Sequence, residues 1–282
     1  MTILGGRDSA GVVAGTLQRP ARSWQPGWMR FLRNRVTGVI SLAAFIAIWQ
    51  LLIVGLDPNP ILFPGPGEVW EEFVAAVRDG QMGAALADSM YAMFIGLVIS
   101  LVVGIPLGLA IGMSPTADLI TSPYLWGFFA MPRIALAPLM ILWFGFGTTT
   151  KIWLVVLSAV IPIILSCKDG VQTLDESLMR AARSFGAGRL DMFAKVIAPN
   201  TLPFIASGVR NGISRGFVGL LVIELTVGSG GIGTEVMQSM SDFNTGRMFA
   251  FAGALIVIAL VLVGISRRIE DYASRWREDV AL

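Results

Sequence analysis

Long apolar stretches without charged side chains dominate this sequence. Residues 36–56, VTGVISLAAFIAIWQLLIVGL, contain no Asp, Glu, Lys or Arg. A stretch of about 20 such residues, wound as an α-helix, crosses the hydrocarbon core of a bilayer. In the whole chain 55% of the residues are hydrophobic and 14% are charged, whereas soluble domains carry about 25% charged residues. We therefore expect an all-α polytopic membrane protein.

Hydropathy predicts about six transmembrane helices, over residues 36–56, 88–113, 119–146, 150–167, 202–225 and 248–266. They form a transmembrane domain over residues 36–268, between an N-terminal tail, 1–35, and a C-terminal tail, 269–282. Glycines and a proline near the end of the second span allow a kink and close helix contact: Gly104, Pro106, Gly108 and Gly112. Between the first two spans, Val69, Phe73 and Val77 share one face of a predicted surface helix.

The distribution of Lys and Arg predicts the orientation. With the N-terminus inside, the inner segments hold fifteen of these residues, six of them in the N-terminal tail. The outer loops hold three, Arg78, Lys151 and Arg247. Because cytoplasmic loops carry the excess of positive charge, we expect both termini and the longest polar interior segment, 168–200, to be cytoplasmic.

Several classes of site are excluded by residue content. The chain has no histidine and a single cysteine, Cys167, which we interpret as a packing residue. We predict no catalytic residues and no metal site. Residues 228–233, GSGGIG, match a dinucleotide-binding fingerprint, but they follow an apolar helix instead of a strand and are interpreted as a glycine turn. The net charge of +2 and the position of the basic residues beside the spans argue against nucleic-acid binding.

The polar interior segment contains the sequence DESLMRAARSFGAGRLDMFAKVIAPNTLPF, residues 175–204. Apolar residues at helical spacing predict two short amphipathic helices, which carry Leu178, Ala182 and Phe185, and then Leu190, Phe193 and Ile197. Glycines at 186 and 188 separate the helices, and Pro199 stops the second. The pair either presents an apolar knob to the cytoplasm or lies as an ordinary amphipathic loop against the membrane.

The same segment resembles the EAA loop of ABC importer permeases. The matching pattern is Ala181-Ala182-x-x-x-Gly186, nine residues, then Val196-x-Ala198-Pro199. Arg180 stands where that family has glutamate, and Ala198 stands where it has leucine. Residues 61–70, 131–152 and 220–233 resemble stretches of permeases for nitrate, taurine and aliphatic sulfonates. The chain is thus similar to this family over most of residues 60–235.

The resemblance implies a type I ABC importer permease fold in the bacterial inner membrane. It implies four kinds of partner: a cytoplasmic ABC ATPase dimer that binds ATP-Mg, a second copy of the permease, an extracytoplasmic solute-binding protein and membrane lipid. The solute would be a small organic or inorganic anion such as a sulfonate, taurine or nitrate. The residues expected to couple to the ATPase are Ala181, Ala182, Arg183, Ser184, Phe185, Gly186, Ala187, Gly188 and Pro199.

The fifth predicted span carries a polar stripe. One helical face contains Arg210, Ser214, Phe217, Leu221 and Glu224. The stripe either lines a water-filled translocation path or consists of a snorkelling arginine and an interfacial glutamate. The alternative function is a self-sufficient secondary transporter or channel, which we would expect to carry more acids or histidines deep in its spans. A membrane enzyme would need a nucleophile–base or metal constellation that the sequence does not offer.

Overall fold

The computed structural model describes residues 27–56, 58–59 and 61–273, without the side chains of residues 27–36, 39, 133 and 134. It divides into two compact units, residues 1–55 and 56–282. In the first unit, helix α1 (Gly27–Leu56) begins before the predicted span, and its apolar part is Ile40–Leu56. Residues 1–26 of the predicted N-terminal tail and residues 274–282 of the predicted C-terminal tail lie outside the described residues.

Every regular element described in the second unit is helical. The elements are α2 (Pro66–Arg78), α3 (Gln81–Gly112), α4 (Pro115–Ala130), a 3₁₀ turn (Arg133–Leu136), α5 (Ala137–Phe144), α6 (Thr148–Gln172), α7 (Glu176–Ser184), α8 (Arg189–Asp191), a π turn (Met192–Ile197), α9 (Ala198–Val227), α10 (Ile232–Ser241) and α11 (Thr245–Ala273). Four described stretches are long and apolar enough to cross a bilayer: Gln81–Gly112, Thr148–Gln172, Arg189–Ser241 and Thr245–Ala273. They contain the second, fourth, fifth and sixth predicted spans.

Helix α6 lies at the centre of the second unit, between α3 and α9. Small residues allow this approach, because a side chain at the α3 and α9 positions would meet α6. The facing pairs are Gly96 with Val155, Gly104 with Ile163 and Gly108 with Cys167 from α3, and Gly208 with Ser166 and Gly219 with Ser158 from α9. Their order shows that α3 runs parallel to α6 and α9 antiparallel to it. The close contact predicted at Gly104, Gly108 and Gly112 and the packing role of Cys167, which is fully buried, are confirmed.

The third predicted span, whose sequence is interrupted by Pro123, Pro132, Arg133 and Pro138, is not a single helix. The structure divides region 119–146 into α4 and α5, which are joined by Met131, Pro132 and the 3₁₀ turn. Proline lacks an N–H group and disfavours a helical conformation in the preceding residue, and a second proline, Pro138, lies in the first turn of α5. Because α3 and α6 run in the same direction, residues 113–147 must return the chain along their length. The two half-helices together therefore return the chain along the length of α3 and α6, as was expected of the third predicted span.

The glycine contact between α3 and α6 gives a stability prediction. An added Cβ at Gly108 would lie 2.6 Å from the Cys167 Cβ and 2.6 Å from the Ile164 carbonyl oxygen. We expect Gly108→Ala to destabilise the protein by about 1–3 kcal/mol, because the packed helices must separate. Thermal melting in detergent measures this loss.

A matched control is Gly253→Ala on α11, where an added Cβ meets nothing within 4 Å. It should melt at or above the wild-type temperature, since alanine favours a helix more than glycine does. Equal losses in the two variants would contradict the packing explanation.

Candidate functional site

Residues 173–197, here the inner loop, connect α6 to α9. The helix α6 extends to Gln172, so residues 168–172 of the predicted loop are helical. Helix α7 begins after Asp175, whose Oδ1 accepts a hydrogen bond of 2.7 Å from the Ser177 N–H. This backbone hydrogen bond lowers the pKa of Asp175 below its usual value. After α7, Gly186 has a φ of +80°, a conformation that favours glycine, so the predicted glycine break between the two short helices, here the elbow, is confirmed. The predicted stop at Pro199 is wrong, because Pro199 lies in the first turn of α9, where proline is tolerated, and the helical stretch continues through it from Arg189.

The elbow of the inner loop exposes large apolar side chains. Phe185 is 92% exposed and Leu190 is 85% exposed. The other end of the loop is anchored, because Ile197 packs in a buried cluster with Cys167 and Val171. A cavity of about 690 Å³ separates the elbow from the ends of α3 and α6. The described chain therefore leaves these apolar side chains uncovered, on a segment held at its α9 end.

Charged pairs lie along the exposed surface of the inner loop. Arg180, which replaces the family glutamate, lies 2.9 Å from the Glu176 carboxylate one turn earlier in α7. Lys195 pairs with Asp191 at 2.7 Å, which lowers the pKa of Asp191 chiefly through that hydrogen bond. Such exposed pairs contribute little to stability. Arg180 thus already has an acidic neighbour within its own helix.

The polar stripe of the fifth span is divided in the structure. The Arg210 guanidinium lies 3.1 Å from the Glu270 carboxylate of α11, and Ser214 donates its hydroxyl proton to the Arg210 carbonyl oxygen at 3.1 Å. Phe217 and Glu224 are buried within the protomer, and Leu221 is partly buried. The five residues therefore do not present one continuous exposed face in a single chain. Their role in a translocation path stays a prediction.

Glu224 belongs to a buried group that we call the outer ion cluster, formed by Asp88, Lys151 and Glu224. The Lys151 ammonium lies 2.6 Å from Asp88 Oδ2 and 3.5 Å from Glu224 Oε1. Glu224 also accepts hydrogen bonds from the Ser89 hydroxyl at 2.7 Å and from the Gly233 N–H at 3.0 Å. The Lys151 and Glu224 side chains are fully buried. The cluster joins α3, α6 and α9 at one end of the unit.

The glycine-rich segment 228–233 closes over the outer ion cluster. Gly230 accepts a hydrogen bond of 2.7 Å from the Lys151 ammonium through its carbonyl oxygen. Gly231 has a φ of +92°, and a side chain there would overlap the Glu224 carboxylate. The Ile232 N–H donates to the Ser89 hydroxyl oxygen at 3.0 Å. The predicted glycine turn is confirmed, and close packing against Glu224 requires glycine at positions 231 and 233.

A second ion pair joins α4 to the other end of α6. The Lys168 ammonium lies 2.9 Å from Asp118 Oδ1, and the Gln172 amide donates to Asp118 Oδ2 at 2.8 Å. The Ser122 hydroxyl also donates a hydrogen bond to Asp118 Oδ1. In the described part of the chain, no group of three or more His, Cys, Asp or Glu could hold a metal ion.

The sequence analysis placed Lys151 in an outer loop, and this placement was wrong. Lys151 lies in the first turn of α6 and is buried. The sequence contained a signal for the outer ion cluster. Asp88 lies at the start of the second predicted span, Lys151 near the start of the fourth and Glu224 near the end of the fifth. Spans that alternate in direction bring these three positions to the same side of the membrane, where lone charges on neighbouring helices are expected to pair.

Comparisons with known proteins agree with this architecture. The family model described as "Binding-protein-dependent transport system inner membrane component" matches residues 100–274. The chain is 30% identical to the putative aliphatic sulfonates transport permease protein SsuC of Bacillus subtilis, over 92% of this chain and 91% of that one. It is also 30% identical to the taurine transport system permease protein TauC of Escherichia coli, over 90% of this chain and 94% of that one.

A relative named for a different solute and a solved structure extend the comparison. The riboflavin transport system permease protein RibX of Chloroflexus aurantiacus is 30% identical over 84% of this chain and 88% of that one. The fold resembles a chain of the inward-facing MetNI methionine ABC transporter, with a TM-score of 0.57, 21% identity, and coverage of 66% of this chain and 93% of that one. The resemblance identified in the sequence and the all-α importer permease fold are confirmed. The chain belongs to the family of binding-protein-dependent transport system inner membrane components, and it is the non-catalytic transmembrane permease subunit of an ATP-driven ABC importer.

Proposed function

We propose that this permease carries a small organic sulfonate, or a related oxyanion such as taurine or nitrate, into a bacterial cell. The observation that carries this proposal is the 30% identity to the SsuC and TauC permeases over about nine-tenths of the chain. A solute-binding protein would deliver the solute from outside. Two copies of the chain would form the path between them, as a homodimer embedded in membrane lipid.

The inner loop is the element that we assign to coupling. Closure of the ATPase dimer on ATP-Mg would move residues Ala181 to Gly188, and the buried packing of Ile197, followed by Pro199 in the first turn of α9, would transmit the movement to that helix. The exposure of Phe185 and the buried packing of Ile197 support this assignment. The inner loop exposes apolar side chains at one end, where a soluble partner can bind. Its other end is packed against the membrane helices, so that movement of the partner can be transmitted to α9.

The proposed orientation places both termini and the inner loop in the cytoplasm, with the multi-pass domain 36–268 in the inner membrane and the tails 1–35 and 269–282 inside. The excess of Lys and Arg in these segments supports it. The parallel packing of α3 and α6 is also consistent with it, because the second and fourth spans of an alternating topology must run in the same direction.

Single-cysteine labelling tests this orientation. We expect Gly5→Cys and Ser274→Cys to react only with reagents on the cytoplasmic side, and Asp79→Cys only with reagents from outside. The natural cysteine, Cys167, is buried and should give little background. Labelling of Ser274→Cys from outside would contradict the orientation.

The solute class is tested by uptake into vesicles that contain the permease, its ATPase and its solute-binding protein. Radiolabelled taurine should accumulate, and unlabelled ethanesulfonate should compete with it. Because relatives of similar identity include a riboflavin permease by name, riboflavin is the informative control solute. Import of riboflavin without import of either sulfonate would overturn the proposed solute class while leaving the permease assignment intact.

A further inference from the structure

Arg215 on α9 has no carboxylate partner among the described residues. The other buried or partly buried cations that the structure describes in the second unit are paired: Lys151 with Asp88 and Glu224, Lys168 with Asp118, Arg210 with Glu270 and Arg247 with Glu235. The Arg215 guanidinium carbon instead lies 4.2 Å from the centre of the Phe129 ring. The arginine is partly exposed, so it can be reached from outside the packed interior.

The depth of Arg215 follows from its neighbours on α6. Gly212 faces Ile163, and Gly216 faces Val155 and Ala159, so Arg215 lies near the level of Ala159. That residue is close to midway between Lys151 and Lys168, about 12 Å from each at 1.5 Å per residue. The position of Phe129 is consistent with this depth, because its ring packs against the buried cluster that contains Ile161 and Leu165 of α6. The Arg215 backbone therefore lies midway between the two charged ends of α6, and its guanidinium lies on the Phe129 ring.

An arginine at this depth is costly and usually faces a cavity or a partner. The face of an aromatic ring attracts the cation, but it leaves most of the five N–H donors of the guanidinium unused. A planar guanidinium matches the geometry of an oxyanion, to which it donates two parallel hydrogen bonds. Arg215 thus has the unused donors that an anionic ligand requires.

The backbone beside Arg215 supplies an independent observation. Phe129 lies at the end of α4, immediately before the non-helical residues 131–132 and the 3₁₀ turn. Non-helical backbone at membrane depth is tolerated where it is buried in protein or lines a water-filled cavity. Met131 is 37% exposed, so the break is not fully covered within the protomer. Discontinuous helices near the midplane form solute sites in other transporters.

We propose that Arg215 binds the oxyanion group of the transported solute midway across the membrane, beside the break between α4 and α5. This inference rests on the proposed function, in which the solute is an oxyanion. Phe129 holds the guanidinium in place when no solute is bound. When a sulfonate arrives, its oxygens accept hydrogen bonds from Arg215 and its organic part contacts the aromatic ring. Arg215 is then a specificity-determining residue of the path.

The test uses the complete complex in vesicles, with radiolabelled taurine as the probe. R215Q should lower taurine uptake about tenfold to a hundredfold, the value expected for losing hydrogen bonds to a charged group. Assembly with the ATPase and the melting temperature should stay close to wild-type values, since R215Q leaves no acidic partner without its cation. A merely structural role would instead lower the melting temperature.

Chemical rescue distinguishes charge from shape at this position. In a C167S background, R215C should transport poorly, and aminoethyl methanethiosulfonate, which attaches an ammonium group to the thiol, should restore uptake severalfold. Methyl methanethiosulfonate, which attaches a neutral group, should restore nothing. Wild-type uptake by R215Q, or equal rescue by both reagents, would overturn the role of Arg215. If wild-type vesicles import neither taurine nor ethanesulfonate, the proposed solute class fails and this inference fails with it.

Discussion

Replacing Phe185 with aspartate should release the ATPase from the permease, or leave it bound but unable to respond to solute. Phe185 is 92% exposed at the elbow of the inner loop, so the substitution removes no contact within the described chain. Removing an aromatic anchor from an interface commonly costs more than about 2 kcal/mol, which corresponds to roughly a thirtyfold loss of affinity. Co-purification of the ATPase and solute-stimulated ATP hydrolysis in vesicles measure the two outcomes.

Two further variants sharpen this experiment. Gly186→Val strains a residue with a φ of +80° and should impair coupling by displacing the elbow. Phe243→Asp is the matched control, because Phe243 is 77% exposed in the turn between α10 and α11, which the proposed orientation places outside. It should leave ATPase binding unchanged. If both elbow variants retain wild-type binding and stimulated hydrolysis, the inner loop is not the coupling element.

Replacing Lys151 with methionine should destabilise the membrane domain by about 3–5 kcal/mol, the usual effect of removing one partner from a buried ion pair. The substitution leaves two carboxylates, Asp88 and Glu224, without their shared cation, and Glu224 is fully buried. It also removes the hydrogen bond that holds the Gly230 carbonyl oxygen. We expect a large drop in the melting temperature in detergent and a lower yield of folded protein.

A second substitution separates charge from packing in the outer ion cluster. Adding Glu224→Gln to Lys151→Met removes one stranded negative charge and should recover part of the lost stability. Lys195→Met, which breaks an exposed pair on the inner loop, should change the melting temperature little. A wild-type melting temperature for Lys151→Met, or no recovery in the double variant, would contradict the structural role of this cluster.

The sequence was sufficient to predict four of the spans as long apolar helices, because the bilayer imposes a simple rule on them. An α-helix forms its own backbone hydrogen bonds, and uncharged stretches such as residues 89–113 and 248–266 place only apolar or weakly polar side chains in the hydrocarbon. The elbow at Gly186 was also predicted, since a glycine between two amphipathic stretches has a local cause. These features depend on residues that are close together in the chain.

The features that the sequence analysis missed depend on contacts between distant residues. Pro132 and Pro138 were visible, but the parallel packing of α3 and α6 was needed to show that two half-helices return the chain between them. The outer ion cluster joins residues on three helices, Asp88, Lys151 and Glu224. The sequence analysis considered each of these charged residues separately. It therefore placed Lys151 in a loop and Glu224 on the polar stripe. Only the packed structure shows that the lysine neutralises the acids.

The dependence of uptake on ATP and on both partner proteins tests the account most directly. Vesicles that contain the permease, its ATPase and its solute-binding protein should accumulate radiolabelled taurine only when ATP is present on the ATPase side. Omission of the ATPase, the binding protein or ATP should each reduce accumulation to the background of empty vesicles. Accumulation by the permease alone, driven by a proton or sodium gradient without ATP, would contradict the account and would identify the chain as a self-sufficient secondary transporter.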